Sequence, residues 1–306
     1  MKELRIATRE SRLALWQAEH VATQLRAAHA DLKVVLVPMT TSGDQVLDRT
    51  LAQIGGKGLF VKELELALAE DRADIAVHSM KDVPSMLPDG MVLTCMLERA
   101  DPRDAFVSRN YARFADLPNN AHVGTASLRR QSQLLALRPD LRISPIRGNV
   151  ETRLRKLDEA QFDAIVLASA GLTRLGLAER ISEYLTVEAS VPAAGQGVIG
   201  IECNYADIAT RELCAALNDN DAADCVLAER AFAARLEGSC QSPIAAYASV
   251  QGAELLLTGL VAATDGSVVI RDQLRGPRTY HAQLGKQLAE RVLARGADKL
   301  LAALRT

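Results

Sequence analysis

The chain has 306 residues, 48% hydrophobic and 24% charged, average usage for a folded globular protein of two ordinary domains or three small ones. That composition excludes a disordered chain, a collagen-like rod and a small disulfide scaffold, and no apolar run approaches the roughly 18–20 residues of a membrane span. The formal charge of −2 argues against a general nucleic-acid binder, although 28 of the 36 bases are Arg and only 8 are Lys.

Residues 1–5 lead straight into a short strand at 4–8 with no apolar leader, so a cytoplasmic protein is expected. Apolar residues at helical spacing predict a helix over 13–25, and a β-branched run predicts a strand over 34–37, closed by Pro38. Phe60, Leu64 and Leu68 fall at i, i+4 and i+8, one face of a further helix, and a buried strand follows at 74–77. The alternation returns as strands at 121–124, 142–146 and 164–168 and helices at 127–137 and 150–157. Strands separated by helices of this length imply βαβ units and mainly parallel sheets. The pattern breaks at 99–103 and at 191–197, and a polar linker at 218–221 precedes a helical run over 222–236. Beyond Ser249, β segments at 255–261 and 268–274 and one long helix over 281–304 predict a small α+β domain. There is no internal repeat and no low-complexity segment.

The five cysteines, an odd number with no C-x-x-C pair, suit a reducing compartment, and none of the five histidines forms an H-x-x-x-H pair, so a protein-built metal site is not expected. Cys95, Cys203, Cys214 and Cys225 lie in apolar strands or helices and read as small hydrophobes. Cys240 lies in the aperiodic stretch Glu237-Gly238-Ser239-Cys240-Gln241-Ser242-Pro243, a loop with no periodicity to bury it, where a thiol is nucleophilic if cations nearby favour the thiolate.

Gly195-Gln196-Gly197-Val198-Ile199-Gly200 matches the dinucleotide fingerprint letter for letter, but coil precedes it and a β-like run follows, so it does not support a nucleotide site. Gly56-Lys57-Gly58 lacks the remaining residues of a phosphate-binding P-loop. What remains is a set of Ser and Arg residues where strands end and helices begin. Thr8-Arg9-Glu10-Ser11 closes the first strand, and Ser127-Leu128-Arg129-Arg130 repeats the arrangement. Arg147 with Arg153, and then Arg174, follow two later strands. Helix N-termini bind anions, and open α/β sheets hold ligands at the carboxyl ends of their strands. Six such cations in equivalent places predict a cleft for a polyanion; the plain alternatives are an N-cap for Ser11 and solvated surface charges for single arginines. Asp82, beside Lys81, opposes anion binding unless it meets a cation that forms during reaction. His78, a lone histidine, is assigned no chemistry.

Taken in order, these motifs resemble the porphobilinogen deaminase (hydroxymethylbilane synthase) family over essentially the whole chain. The carriers are Ala7-Thr8-Arg9 with Ser11, residues 13–17, Gly55-Gly56-Lys57-Gly58-Leu59-Phe60, His78-Ser79, Lys81-Asp82-Val83-Pro84, residues 127–130, Arg147-Gly148-Asn149-Val150, Pro192-Ala193 with Gly195-Gln196-Gly197, and Glu237-Gly238 before Cys240. The resemblance implies an α/β fold: two lobes like those of type II periplasmic binding proteins, with mainly parallel mixed sheets, plus a small C-terminal α+β domain. The implied boundaries are 1–98 with 198–217 for the first lobe, 99–197 for the second and 218–306 for the third domain.

It further implies a transferase of tetrapyrrole (haem, porphyrin) biosynthesis. A dipyrromethane cofactor held by a thioether to Cys240 is extended by four porphobilinogen units with loss of ammonia, and hydrolysis frees hydroxymethylbilane. Each unit carries an acetate and a propionate, which suits an arginine-lined cleft. Asp82 is implied as acceptor for pyrrole N–H groups and counter-charge to the azafulvenium cation. Arg9, Ser11, Lys81, Ser127, Arg129, Arg130, Arg147, Arg153 and Arg174 match positions that bind cofactor or substrate carboxylates, and Lys57 matches a flexible-loop position near the site. The implied enzyme is a cytoplasmic monomer with porphobilinogen and polypyrrole intermediates as its ligands and no metal, nucleic-acid or membrane partner. Ala126 and Ser239 depart from the family's usual Ser and Gly. The rival reading, a non-catalytic two-lobe oxyanion or carboxylate binder, explains the two lobes and the arginines but not Asp82, the third domain or Cys240. A nicotinamide oxidoreductase rests only on the discounted glycine motif.

Overall fold

The computed structural model describes residues 2–45, 58–237 and 242–304 of the chain. Strand β1 (Lys2–Arg9) leads into helix α1 (Arg12–Ala28), and β2 (Leu32–Met39) returns beside β1 in parallel register. Helix α2 (Lys62–Ala69), β3 (Ile75–Ser79) and β4 (Met91–Met96) follow. Leu4 and Ile6 of β1 pack against Val21 and Leu25 of α1, all four buried, which is why the 3.6-residue spacing of α1 and the apolar run of β1 coexist. Pro38 does not close β2 as expected. It lies inside the strand, and β2 is an edge strand, where a missing N–H breaks no ladder.

The chain then builds a second sheet from β5 (Asp104–Ser108), β6 (His122–Gly124), β7 (Arg142–Ser144), β8 (Ala164–Ala168) and β9 (Glu183–Leu185). Helices α3 (Leu128–Leu137), α4 (Val150–Asp158) and α5 (Ser169–Arg174) lie between its strands. Strand β10 (Ile199–Asn204) crosses back and enters the first sheet antiparallel to both β3 and β4, giving the order β2-β1-β3-β10-β4. The second sheet has the matching order β7-β6-β8-β5-β9, with β5 antiparallel to both its neighbours. Each sheet thus has four strands pointing one way and one against them, the mainly parallel, mixed α/β arrangement expected.

Helix α6 (Ile208–Ala215) packs beside β4 and β10. Helix α7 (Asn220–Arg235) and α8 (His281–Val292) cover a meander of β11 (Ile244–Gln251), β12 (Glu254–Ala262) and β13 (Val269–Pro277), with Phe232, Leu257 and Leu288 in the shared core. The long final helix is interrupted. A π-helical turn at Leu293–Ala297 separates α8 from α9 (Asp298–Ala302), because Gly296 adopts φ +99°, outside any right-handed helix. Among the described residues no helix is long and apolar enough to cross a membrane.

Candidate active site

Three strand-to-helix turns face one another across the two lobes. Ser11 caps α1, accepting the Ala14 N–H at 3.4 Å; Ser127 caps α3 through the Arg130 N–H at 3.4 Å; Asn149 caps α4 through the Thr152 N–H at 2.8 Å. Each cap satisfies an orphan donor at a helix start and contributes about 1 kcal/mol. The plain reading of Ser11 therefore holds, but Ser11 and Ser127 also border a cavity of about 980 Å³ between the lobes and the third domain. The remaining free N–H groups of α1, α3 and α4 give that cavity three electropositive ends.

Asp82 lies on this wall, on a single 3-10 turn (Met80–Asp82) that follows β3. The turn is set by its backbone: the Met80 N–H donates to the Val198 carbonyl at 3.0 Å, and the Val83 N–H to Met80 at 3.3 Å. Gly195, at φ +73°, makes this approach possible, since a Cβ there would stand 2.7 Å from the Met80 Cβ. The Asp82 carboxylate is half-buried and makes no hydrogen bond or ion pair among the described residues. Lys81 beside it likewise has no hydrogen-bond partner there. Burial lowers its pKa to about 8; Asp82 opposes the shift, while Arg130 and Arg129 add to it.

Arg129 and Arg130, in the first turn of α3, are both buried and both reach Asp104 of β5. Arg129 Nη1 lies 2.8 Å from one carboxylate oxygen and donates to the Val191 carbonyl at 2.7 Å. Arg130 Nε donates to the other oxygen at 2.9 Å, while Ser190 Oγ and Gln196 Nε2 donate to the same carboxylate at 2.7 and 3.0 Å. Burial acts to raise the Asp104 pKa, but the two guanidinium charges outweigh it and hold the carboxyl far below its usual range. One carboxylate against two guanidinium groups leaves one positive charge uncompensated at the cavity wall.

The other predicted cations divide. Arg153 lines the cavity and donates Nε to the Gly148 carbonyl at 2.8 Å; burial lowers its pKa to about 10, helped by Arg130 and Arg147. Arg147 lines the same wall. Arg9 is held by Asp44, with Nε 3.0 Å from the carboxylate, and its guanidinium lies 4.4 Å from the Phe60 ring centre. Arg174 does not line the main cavity. It borders a small adjoining recess shared with Gln17, Ser79 and Lys81, donates to the Gly197 carbonyl at 2.7 Å and lies over Trp16. Lys57 and Cys240 lie outside the described residues. Cys95, Cys203, Cys214 and Cys225 are buried, as expected, and burial pushes the Cys95 and Cys225 thiols up to about 12.

Three polar residues of this region escaped the sequence reading. Asp104 has a faint signal, an acid opening an otherwise apolar strand; Gln196 is hidden in the discounted glycine motif, and Arg230 in an ordinary helical pattern. Two of the motif's glycines, Gly195 and Gly197, sit at positive φ in a turn that runs into strand β10, not into a helix, so no dinucleotide loop forms. Altogether the cavity presents desolvated cations, helix N-termini and one unpartnered carboxylate. Chemically, such a wall suits a ligand carrying several carboxylates, with one carboxylate, Asp82, among the cations.

The chain resembles known proteins in both sequence and fold. Residues 4–212 match the family described as porphobilinogen deaminase, dipyrromethane cofactor binding domain, and residues 223–294 match porphobilinogen deaminase, C-terminal domain. The chain is 58% identical over 301 residues to the porphobilinogen deaminase of Syntrophotalea carbinolica, covering 98% of this chain and 96% of that one. In fold it is similar to a putative methionine-binding lipoprotein from Bacillus subtilis, at 12% identity, 73% of this chain, 93% of that chain and a TM-score of 0.45. It is also similar to a periplasmic substrate-binding protein of an ABC transporter from Coxiella burnetii, at 13% identity, 70% and 91% coverage and a TM-score of 0.46.

Proposed function

The chain belongs to the porphobilinogen deaminase family, and from that premise we propose how its own residues divide the work. The activity is the condensation of four porphobilinogen units into the linear tetrapyrrole hydroxymethylbilane, with release of ammonia, primed by dipyrromethane. The dipyrromethane supplies the pyrrole carbon to which the first unit is joined. In our reading Cys240 anchors it through a thioether. Arg129, Arg130, Arg147 and Arg153, with Lys81 and the capped helix starts at Ser11 and Ser127, receive its carboxylates and those of the growing chain. Arg9 joins them by exchanging Asp44 for a ligand carboxylate, Arg174 acts from the adjoining recess, and Lys57 approaches from its loop.

The observation that carries this reading is the unpartnered Asp82 carboxylate set within an excess of desolvated cations. An acid in that place weakens the binding of a polyanion. It is useful where positive charge develops on the substrate as ammonia leaves, and where pyrrole N–H groups need an acceptor. Its neighbour Lys81 keeps the local charge balanced until then. The proposed domain division is 1–98 with 198–217, 99–197 and 218–306, supported by the return of β10 to the first sheet. We take the enzyme as a cytoplasmic monomer acting without metal, nucleic acid or membrane.

The test is the intact mass of the purified protein beside a Cys240→Ala variant, each before and after addition of porphobilinogen. A mass increase of two linked pyrroles on the parent alone supports the anchor. An adduct that persists in Cys240→Ala places it elsewhere, and no adduct on either protein would overturn the assignment.

A further inference from the structure

Arg230 belongs to α7, in the third domain, but its guanidinium reaches into the first lobe. Nη1 donates to the Val83 carbonyl at 3.0 Å, and Nη2 to those of Pro84 and Ser85 at 2.6 and 3.4 Å. These are the three carbonyls that directly follow Asp82. From Val83 to the start of β4 at Met91 the chain belongs to no helix or strand, so the downstream side of the Asp82 turn has no ladder of its own. The upstream side is fixed by β3 and by the Met80–Val198 bond. Next to the arginine, Ala222 and Val226 of α7 pack with Met80 and Val83, so an apolar contact and a guanidinium fork seat α7 on the same turn.

The pairing is unusual for a desolvated guanidinium. Arg230 is half-buried, and burial lowers its pKa to about 10, with Glu202 opposing. Yet it forms no ion pair among the described residues; its two Nη atoms donate to carbonyl dipoles instead. A planar fork of fixed geometry bridges consecutive carbonyls, which a point-charge ammonium does not. Because the Asp82 side chain makes no hydrogen bond or ion pair among the described residues, its position in the cavity follows from the backbone on either side of it.

We propose that Arg230 is a positioning residue for Asp82: by clamping residues 83–85 from the third domain it holds the carboxylate at its working place in the cavity. This rests on the assignment of Asp82 above. The expected signature is a loss in kcat with little change in KM, since misplacement by about 1 Å is enough to cost on the order of 10²-fold.

The experiment is a double-mutant cycle on the holoenzyme, using Arg230→Met, Arg230→Lys and Asp82→Ala, with covalent cofactor confirmed by mass and the first addition followed in single turnover. Arg230→Met is expected to slow that step roughly 10- to 100-fold, and Arg230→Lys by less. In the Asp82→Ala background Arg230→Met is expected to cost nothing further. Equal losses in both backgrounds overturn the proposal, because Arg230 then acts independently of Asp82. So does loss of bound cofactor in Arg230→Lys, which places its role in assembly. A full rate for Asp82→Ala alone fails the Asp82 assignment instead, a separate result.

Discussion

Glu229 receives both Nη atoms of Arg99, at 2.8 and 2.9 Å, in a two-point pair buried between the third domain and the first crossover of the chain. The same carboxylate accepts the Gly195 N–H of the second crossover at 2.7 Å and the Ala248 N–H of β11 at 2.8 Å. One acid therefore fastens both connections between the lobes to the third domain.

Replacing Glu229 by Gln strands the Arg99 charge in a dry site. Removing one partner of a buried pair typically costs about 3–5 kcal/mol. The exposed pair across the lobes, Arg12 with Glu151 at 3.2 Å, offers a control, for which about 0–1 kcal/mol is expected. Urea unfolding of Glu229→Gln and Glu151→Gln beside the parent measures both, and equal losses would contradict the assignment.

Asp104→Asn keeps the shape of the carboxylate but leaves Arg129 and Arg130 without a counter-charge. A loss of about 3–5 kcal/mol is expected at neutral pH. The pH dependence has a defined sign. The folded-state pKa of Asp104 is depressed, so its contribution is fully present above the unfolded value of about 3.9 and is lost as pH falls below it through the folded pKa. The parent is therefore expected to lose stability more steeply than Asp104→Asn on acidification below about pH 4. Parallel slopes would exclude the linkage.

Asp82→Ala is expected to slow turnover by about 10²- to 10³-fold, the loss typical for one electrostatic stabiliser. With no hydrogen bond or ion pair to lose among the described residues, it is expected to shift stability by no more than about 0.5 kcal/mol. Calorimetry and steady-state rates on the same holoenzyme preparation separate the two effects.

Lys81 loses its charge as pH rises through about 8, because burial has lowered its pKa. If Lys81 receives substrate carboxylates as proposed, the KM for porphobilinogen is expected to rise above that pH as its charge is withdrawn. Lys81→Arg keeps the charge, so its KM profile is expected to stay flat across the same range. A parent profile flat to pH 9.5 would remove Lys81 from binding.

The alternation of strands and helices was legible because each element carries its own period: β8 falls on the predicted 164–168, and α3 begins one residue after the predicted start at Ser127. The cations at the strand ends were legible for the same reason, since a strand-to-helix turn is a local event. Pairings across distance were not. Asp104 is separated from Arg129 by 25 residues and from Gln196 by 92, and Arg230 reaches Val83 across 147. No local periodicity encodes such contacts. Strand β11 was missed because its small residues, Ala245, Ala246 and Ala248, lack the β-branched signature of a strand, although all three are buried.

The return of β10 has a consequence for biosynthesis. It occupies the place between β3 and β4, yet it leaves the ribosome roughly a hundred residues after β4, a delay on the order of 5–20 s at about 5–20 residues per second. Throughout that interval the nascent first lobe has two strands with an open seam between them, whereas the second lobe has every strand of its sheet once β9 is made, before β10. The later-made lobe is therefore free to fold first. Until β10 arrives, the earlier-made one exposes unpaired backbone of the kind that chaperones shield and that other nascent chains can wrongly fill.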